Sequence, residues 1–419
     1  MFNLRTCLLG ACSLLACSAA SMPASADSLQ IIHRFTAIQK GARPQAALTS
    51  DSTGTLYGTT FTGAPDGNGT VFQLTPPGSG STKWVQTVLH RFNKKGKKGI
   101  LPDSGVILDA QGNLYGTTPE GGINDAGVVF ELVRPANAGD DWKEVVLHRF
   151  TGGEGGGTPH GTLVFGPDGA LYGTAGFGGK FGAGIVFKLA PDGSGSWKEK
   201  VLFNFGNDAT GGYPYSIPVF DHAGNLYGTT LNGGNAGNGV VFELSPPSGG
   251  GVPWTETVLH SFDDATDGVE PRMGVIIDSA GNLYGTTLEG GSIGYGVVYE
   301  VSPPTGGGQA WTETILHNFG FSPDGGSPAY SKLVMDGGGN IYGTSQVGGT
   351  LHNGVVFKLA PPAKRDGEWT QSVLHTFADS PDGSQPEAGL TLAPDGSLYG
   401  TTFFGGTASE TGTVFKVTP

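Results

Sequence analysis

Cysteine is almost absent from this chain: Cys7, Cys12 and Cys17 are the only three, all within the first seventeen residues. Everything after them has neither a thiol nor a disulfide, so an oxidising compartment would be tolerated but not used. Charge is scarce too, at 14% of residues, and cations are the rarer sign: 23 Lys+Arg against 36 Asp+Glu give a net charge of −13. That balance excludes a nucleic-acid partner held by a basic surface. No ten-residue stretch carries a helical stripe of apolar residues, which excludes a helical fold. The single apolar run, starting at Cys7, is too short to span a bilayer.

That run belongs to "MFNLRTCLLGACSLLACSAASMPASAD", with Arg5 before it and Ala24-Ser25-Ala26 after it, the layout of a cleavable secretory signal over residues 1–26. Cleavage removes Arg5 and no acid, leaving a mature chain, residues 27–419, with a net charge of −14. The expected location is therefore outside the cytoplasm, periplasmic or extracellular. Lipidation at Cys17 in "LLAC" is the competing reading, and Leu15 fits that signal poorly.

Glycine is plentiful, 75 of 419 residues, but it is periodic. The phrase Tyr-Gly-Thr recurs at Tyr57, Tyr115, Tyr172, Tyr227, Tyr284, Tyr342 and Tyr399, at spacings of 55 to 58 residues. Each of these seven units reads as four short strands: one after a proline, ending in an Asp/Gly turn; then "LYGTT"; then a "GVVFEL" strand; then a strand such as "WTETVLHSF". In the last of these, Trp254, Val258, His260 and Phe262 recur at period two, a half-buried pattern. The seventh unit stops at "GTVFKVTP" without its fourth strand, whereas "LQIIHRF" near Leu29 supplies one at the other end of the chain. Borrowing that strand closes a ring and removes the sheet edges an open stack would leave. The fold expected is all-β: a single seven-bladed β-propeller of four-stranded blades over residues 27–419, with the N-terminal strand pairing to the C-terminal blade.

The pattern "D..GNLYGTT..GG....GVVFEL", preceded by Phe and Pro-x-Gly, resembles the Gloeo/Verruco-type (GloVer) tandem repeat of secreted bacterial proteins. The resemblance spans residues 29–419 and implies fold and export more than activity. More loosely, Pro-x-Gly before the "GNLY" hairpin looks like NHL-type propellers and the streptogramin lyase group. That likeness lies in turn and strand residues and carries no catalytic residue across.

Features common to all blades are read as architecture, with seven equal lectin-like pockets as the alternative for Tyr-Gly-Thr. His33, His90, His148, His260, His317 and His375 share one strand position where the third blade has Phe203, so they read as packing and not as metal ligands. Gly within Tyr-Gly-Thr is expected to admit a neighbouring backbone. The six tryptophans are expected to be buried.

Function is sought where the copies differ. One residue past the repeated prolines stand Gln45, Asp103, His160, Tyr215, Arg272, Ala329 and Glu387, seven different side chains at the mouth of the central channel. Loops on the same face carry extra rings: Tyr213, Tyr215, Phe321 and Tyr330 before the first strands, and Phe61, Phe177, Phe181, Tyr295, Phe403 and Phe404 between the second and third. Aromatic rings in glycine-rich loops are platforms for sugars or aryl groups; folding back as lids over the blade tops is the competing reading. The opposite face has turn residues only. Lys94 to Lys98, "KKGKK", reads as a solvated basic loop.

These residues support a non-catalytic binding or surface-interaction propeller that takes a glycan or similar ligand, through Gln45, Asp103, His160, Tyr213, Tyr215, Arg272, Tyr295, Tyr330 and Glu387. An alternative is a polysaccharide lyase, with Tyr215, His160 and Arg272 as base, acid and charge neutraliser beside a uronate carboxylate. A structural scaffold is the third reading, since fold alone does not choose. No cofactor or resident metal is expected; Asp263, Asp264 and Asp267 suggest at most a loop calcium site, off the EF-hand spacing. A monomer without nucleic acid or a transmembrane span is expected.

Overall fold

The computed structural model describes residues 29–419, apart from loop positions 37, 96, 138, 250, 264–265, 305–309, 331, 365–366 and 408–409. The signal segment expected over residues 1–26, with Cys17, lies outside the described residues. Seven four-stranded antiparallel sheets follow one another around a ring, with two short 3-10 turns, Ile38–Lys40 and Pro328–Tyr330, as the only helical pieces among the described residues. Blade 4 shows the pattern: Val219–Phe220 innermost, then Leu226–Thr230, Val240–Ser245 and Thr255–Ser261 outermost. Blade 7 is completed from the other end of the chain, Gln30–Arg34 pairing with Thr413–Val417 in the register Ile31 to Phe415 and His33 to Val414. Phe35 and Ile32 then pack with Leu48, Leu56 and Phe72 of blade 1, so the closing strand is anchored on both sides.

The core has no single centre. Seven apolar clusters each straddle two neighbouring blades; in one, Val129 and Phe150 of blade 2 meet Leu163 and Phe187 of blade 3. A blade is therefore stable only through its neighbours, and ring closure gives every blade two.

The repeated phrase is explained residue by residue. Leucine or isoleucine at its head is buried in every copy. The tyrosine hydroxyl donates to the turn aspartate in six blades, at 3.0 to 3.1 Å (Tyr57 to Asp51, Tyr342 to Asp336), which fixes the hairpin joining first and second strands. Its ring also meets the tryptophan of the next blade, as Tyr172 meets Trp254 at 6.2 Å between centroids. Glycine makes room for a ring and not, as expected, for a backbone: a Cβ on Gly228 would lie 2.7 Å from the Phe242 ring of the same blade, and one on Gly58 2.8 Å from Phe72. The first threonine reaches the next blade. Thr59 donates to the Ser104 carbonyl (2.8 Å), Thr174 to Ser216 (2.9 Å), Thr344 to Ala388 (3.0 Å), and Thr401 closes the circle on Pro44 (3.4 Å). The second hydroxyl turns back to the carbonyl two residues on, as in Thr230 to Asn232 (2.8 Å), starting the next loop.

Two expectations need correction. Only Trp254, 8% exposed, is buried; the other five tryptophans are half-buried caps at the blade edge. Period-two alternation does not run through the fourth strand, because a bulge falls at Leu259, between Val258 and His260, and at the matching place in the other blades. The extra residue bends the strand and releases Leu259 into the core.

The shared histidine sits edge-on against the phenylalanine two residues on, His260 against Phe262 at 4.7 Å, with Phe203 doing the same against Phe205. Packing explains the ring, and the seam beyond it explains the nitrogen. His90 Nε2 lies 3.2 Å from Glu144 of the next blade, and His375 Nε2 bonds Asp382 at 2.7 Å. Burial holds His148 down at about 4 and pushes Glu199, its neighbour across the seam, up to about 7. Glu256, with no histidine opposite because Phe203 stands there, is pushed up to about 8 by burial and by the charge of Asp208.

This packing makes two substitutions act in opposite directions. Gly228→Ala should destabilise the fold by about 1–3 kcal/mol, because the added methyl has no space against Phe242. Tyr299→Phe should do the reverse: Tyr299 stands where the other blades have Phe, and its buried hydroxyl has no partner, a cost of about 1–3 kcal/mol. Thermal unfolding should lower the melting temperature of the first variant and raise that of the second. Glu256 is protonated in the fold to about pH 8 but ionises near its ordinary value when unfolded, so its contribution is complete at low pH and is lost as pH rises between those values. Glu256→Gln should flatten that decline in melting temperature from pH 5 to 8.

Candidate functional site: the channel mouth

The innermost strands enclose a central channel of about 540 Å³, with walls drawn from all seven blades and lined mainly by small and aliphatic side chains such as Ala47, Ile107, Val164 and Ile276. One charged residue lines it: Lys332, four residues past Pro328, whose ammonium burial pushes below its ordinary range. Seven prolines set the mouth, because each fixes where its lead-in loop turns down into the first strand. Residues at period two from there, such as Gln45, Ala47 and Thr49, follow one another down the channel side.

The variable mouth residues converge. His160 Nδ1 and Asp103 Oδ2 form a close hydrogen-bonded pair between blades 3 and 2. Tyr215 of blade 4 packs on the His160 ring at 4.6 Å between centroids. Arg272 of blade 5 lies between two rings, its Cζ 5.4 Å from the Tyr215 centroid and 4.6 Å from that of Tyr330, and donates from Nη1 to the Tyr330 hydroxyl at 3.1 Å. Glu387 of blade 7 accepts from Gln346 Nε2 at 2.8 Å and also engages Gln45. Burial raises the Glu387 carboxyl above its ordinary range, against the bonds from Gln346 and Gln45 and the charge of Arg272. Tyr215 is likewise raised, burial outweighing the pull of Arg272, so it stays protonated at neutral pH and offers a hydroxyl and a ring. Two acceptors in this ring, Gln45 Oε1 and Asp103 Oδ1, are buried without a hydrogen-bond partner.

Tyr213 lies just outside, edge-on to Phe177 at 5.5 Å, and Phe177, 44% exposed, also reaches Tyr215. Tyr295 belongs to a separate stack with Phe321 and His352, at 4.9 and 5.2 Å. Phe403 and Phe404 fold back under Arg43, the lid arrangement, whereas Phe177, Phe181 and Tyr295 stay exposed. Ala329 falls in the 3-10 turn Pro328–Tyr330, and Tyr330 brings its ring to the mouth in that blade. Sequence reading missed Gln346. Its signal was present: the residue after "LYGTT" is Phe, Pro, Gly or Leu in the other six blades and polar only here. The lysine loop is tied down at one end, Lys98 Nζ lying 2.7 Å from Glu144. In the acidic loop, Asp267 lies 3.2 Å from His260 and accepts from the Asp263 amide at 3.2 Å, while Asp264 lies outside the described residues.

Fold and mouth together define a seven-bladed β-propeller with one asymmetric polar opening. The chain belongs to the Gloeobacter/Verrucomicrobia repeat family, which it matches over residues 19–219, 87–268 and 217–419. No curated protein matches the sequence. Among solved structures, a 6-phosphogluconolactonase-named protein of Bacteroides uniformis is similar at 15% identity and a TM-score of 0.52, covering 83% of this chain and 88% of that one. An oxidoreductase-named (glucose dehydrogenase) protein of Thermus thermophilus is similar at 16% identity and a TM-score of 0.45, covering 93% and 99%. At these identities the likeness is one of fold. No helix among the described residues is long and apolar enough to cross a membrane.

If Arg272 and Glu387 share one field, Arg272→Met should push the Glu387 carboxyl further up, and Gln346→Leu should do so as well. Carbon-13 NMR titration of the glutamate carboxyls would read both shifts.

Proposed function

We propose that the protein is an exported, non-catalytic binding propeller that takes a glycan, or a similar polyhydroxylated ligand, at the channel mouth. The observation that carries this reading is the pair of buried, partnerless acceptors, Gln45 Oε1 and Asp103 Oδ1, in a ring that also holds Tyr215 and Arg272. Buried acceptors need donors, and a sugar presents hydroxyl donors along an apolar ring face suited to tyrosine. Arg272, already stacked on two rings, adds a preference for a ligand bearing a carboxylate. The signal layout of residues 1–26 supports export.

A lyase is the second reading, favoured by the Asp103–His160 pair and the nearness of both His160 and Arg272 to Tyr215. Against it stands the chemistry of Tyr215: a tyrosine base requires a lowered pKa, and burial raises this one.

Binding to immobilised neutral and uronate-containing polysaccharides is the test. Tyr215→Ala and Asp103→Asn should each weaken binding by about tenfold or more, which corresponds to about 1.4 kcal/mol, and Arg272→Met should act mainly on the uronates. Retention of none of these polysaccharides would overturn the proposal. Growth of ultraviolet absorbance from an unsaturated product, lost in His160→Ala, would transfer the site to the lyase reading.

A further inference from the structure

Away from the mouth, the seams between outer strands repeat one arrangement with different side chains, and the repeat itself shows what each variant does. In the seams between blades 1 and 2, 4 and 5, and 5 and 6, a histidine on the fourth strand of one blade stands opposite a glutamate or glutamine on the fourth strand of the next, and the loop after the histidine adds a third group. Between blades 1 and 2 these are His90, Glu144 and Lys98, whose ammonium lies 2.7 Å from the glutamate. Here the chain supplies its own cation. Between blades 5 and 6 the third group is Asp324, which His317 bonds at 3.1 Å, and the glutamate is replaced by Gln371, whose amide donates to the Asp324 carbonyl at 3.3 Å.

Between blades 4 and 5 neither solution is present. The loop group is an acid, Asp267, and the facing residue is still a glutamate, Glu313. Nitrogen or oxygen atoms of His260, Asp267 and Glu313 all lie within 4.8 Å of one another, the one such group of three among the described residues. His260 Nε2 is 3.2 Å from Asp267 Oδ2 yet makes no aligned hydrogen bond, in contrast to His317 and His375, and Glu313 Oε1 has no partner either; both atoms are buried. One imidazole nitrogen and two carboxylates thus converge where blade 1 places an ammonium.

We propose that the seam between blades 4 and 5 is a divalent-cation site, with His260, Asp267 and Glu313 as its protein ligands and zinc as the ion it takes best. A mixed nitrogen and carboxylate donor set suits zinc and its first-row neighbours, whereas calcium requires six to eight oxygens. Bonds of about 2.0–2.2 Å to each donor would draw the longest donor separation in by roughly an ångström. His260 and Asp267 come from blade 4 and the loop after it, and Glu313 from blade 5, so the ion would cross-link two blades far along the chain from the closing strand. This site is independent of the mouth and of whatever the mouth binds.

The test uses the full chain stripped with EDTA and titrated with zinc chloride by calorimetry, with thermal unfolding alongside. Wild type should bind one zinc per chain and melt at a higher temperature when loaded. His260→Phe and Glu313→Gln should each weaken binding by more than about tenfold, while His317→Phe should bind as wild type does. His260→Phe reproduces the residue blade 3 already carries at this position, Phe203, so the metal-free variant should fold, and its melting curve checks that. Cobalt gives a second readout: visible absorption bands in wild type that Glu313→Gln alters. Absence of saturable zinc binding in wild type, or equal binding by wild type, His260→Phe and Glu313→Gln, would overturn the proposal.

Discussion

Six of the seven blades are held to the next by a threonine hydroxyl that leaves its own sheet. A short four-stranded sheet cannot bury both of its faces, so the propeller exists only if every blade finds a neighbour at a fixed angle. The apolar wedges between blades supply attraction without direction. Direction comes from the hydroxyls of Thr59, Thr174, Thr344 and Thr401, each reaching a carbonyl in the next lead-in loop. Those carbonyls lie next to the mouth residues, so the contact that sets the angle between blades also sets the positions of Asp103, Tyr215 and Glu387. Blade 4 is the exception: Thr229 Oγ1 is buried without a partner, and the contact with blade 5 runs instead from the Ile217 amide to the Met273 carbonyl at 3.4 Å. That looser contact is the one leading to Arg272.

Architecture was legible because it is written seven times. Repetition separates what every blade needs from what one blade uses, so the ring, its closure through residues 29–35 and the turn chemistry follow from spacing alone. Contacts between side chains were less legible. Glycine in Tyr-Gly-Thr was correctly read as a place of close approach, but the partner is a phenylalanine ring on the adjacent strand, a fact that needs the pairing of Gly228 with Phe242. The bulge at Leu259 was hidden for the same reason, since an extra residue present in every copy leaves the spacing between copies unchanged.

At the mouth, the position of each variable residue was legible and its partner was not. Sequence places His160 and Asp103 one per blade at equivalent positions; only the curvature of the ring shows that adjacent blades bring them into contact while Tyr295 falls in a separate stack. Gln346 escaped because it follows the second strand of its blade, whereas the other mouth residues stand in the lead-in segments before the first strands. Its one polar deviation within a repeated phrase is the kind of signal that comparison of copies can recover.

The seams carry this logic into electrostatics. A glutamate on the fourth strand faces the neighbouring blade at Glu144, Glu199, Glu256 and Glu313, and burial alone would push each toward its neutral form. At Glu144 that push is outweighed by His90 and Lys98, which hold the carboxyl below its ordinary range. At Glu199 and Glu256 it is not outweighed, and the proton stays to about pH 7 and 8. One structural position is thus ionised in one seam and protonated in others. The difference lies in what the facing strand and its loop bring to the glutamate: His90 and Lys98 at Glu144, but Phe203 and the loop acid Asp208 at Glu256. Selection can change the charge of a seam by changing those side chains while strand pairing, turns and interblade hydroxyls stay as they are. A ring of near-identical blades can therefore hold seven different seams, just as it holds seven different residues at its mouth.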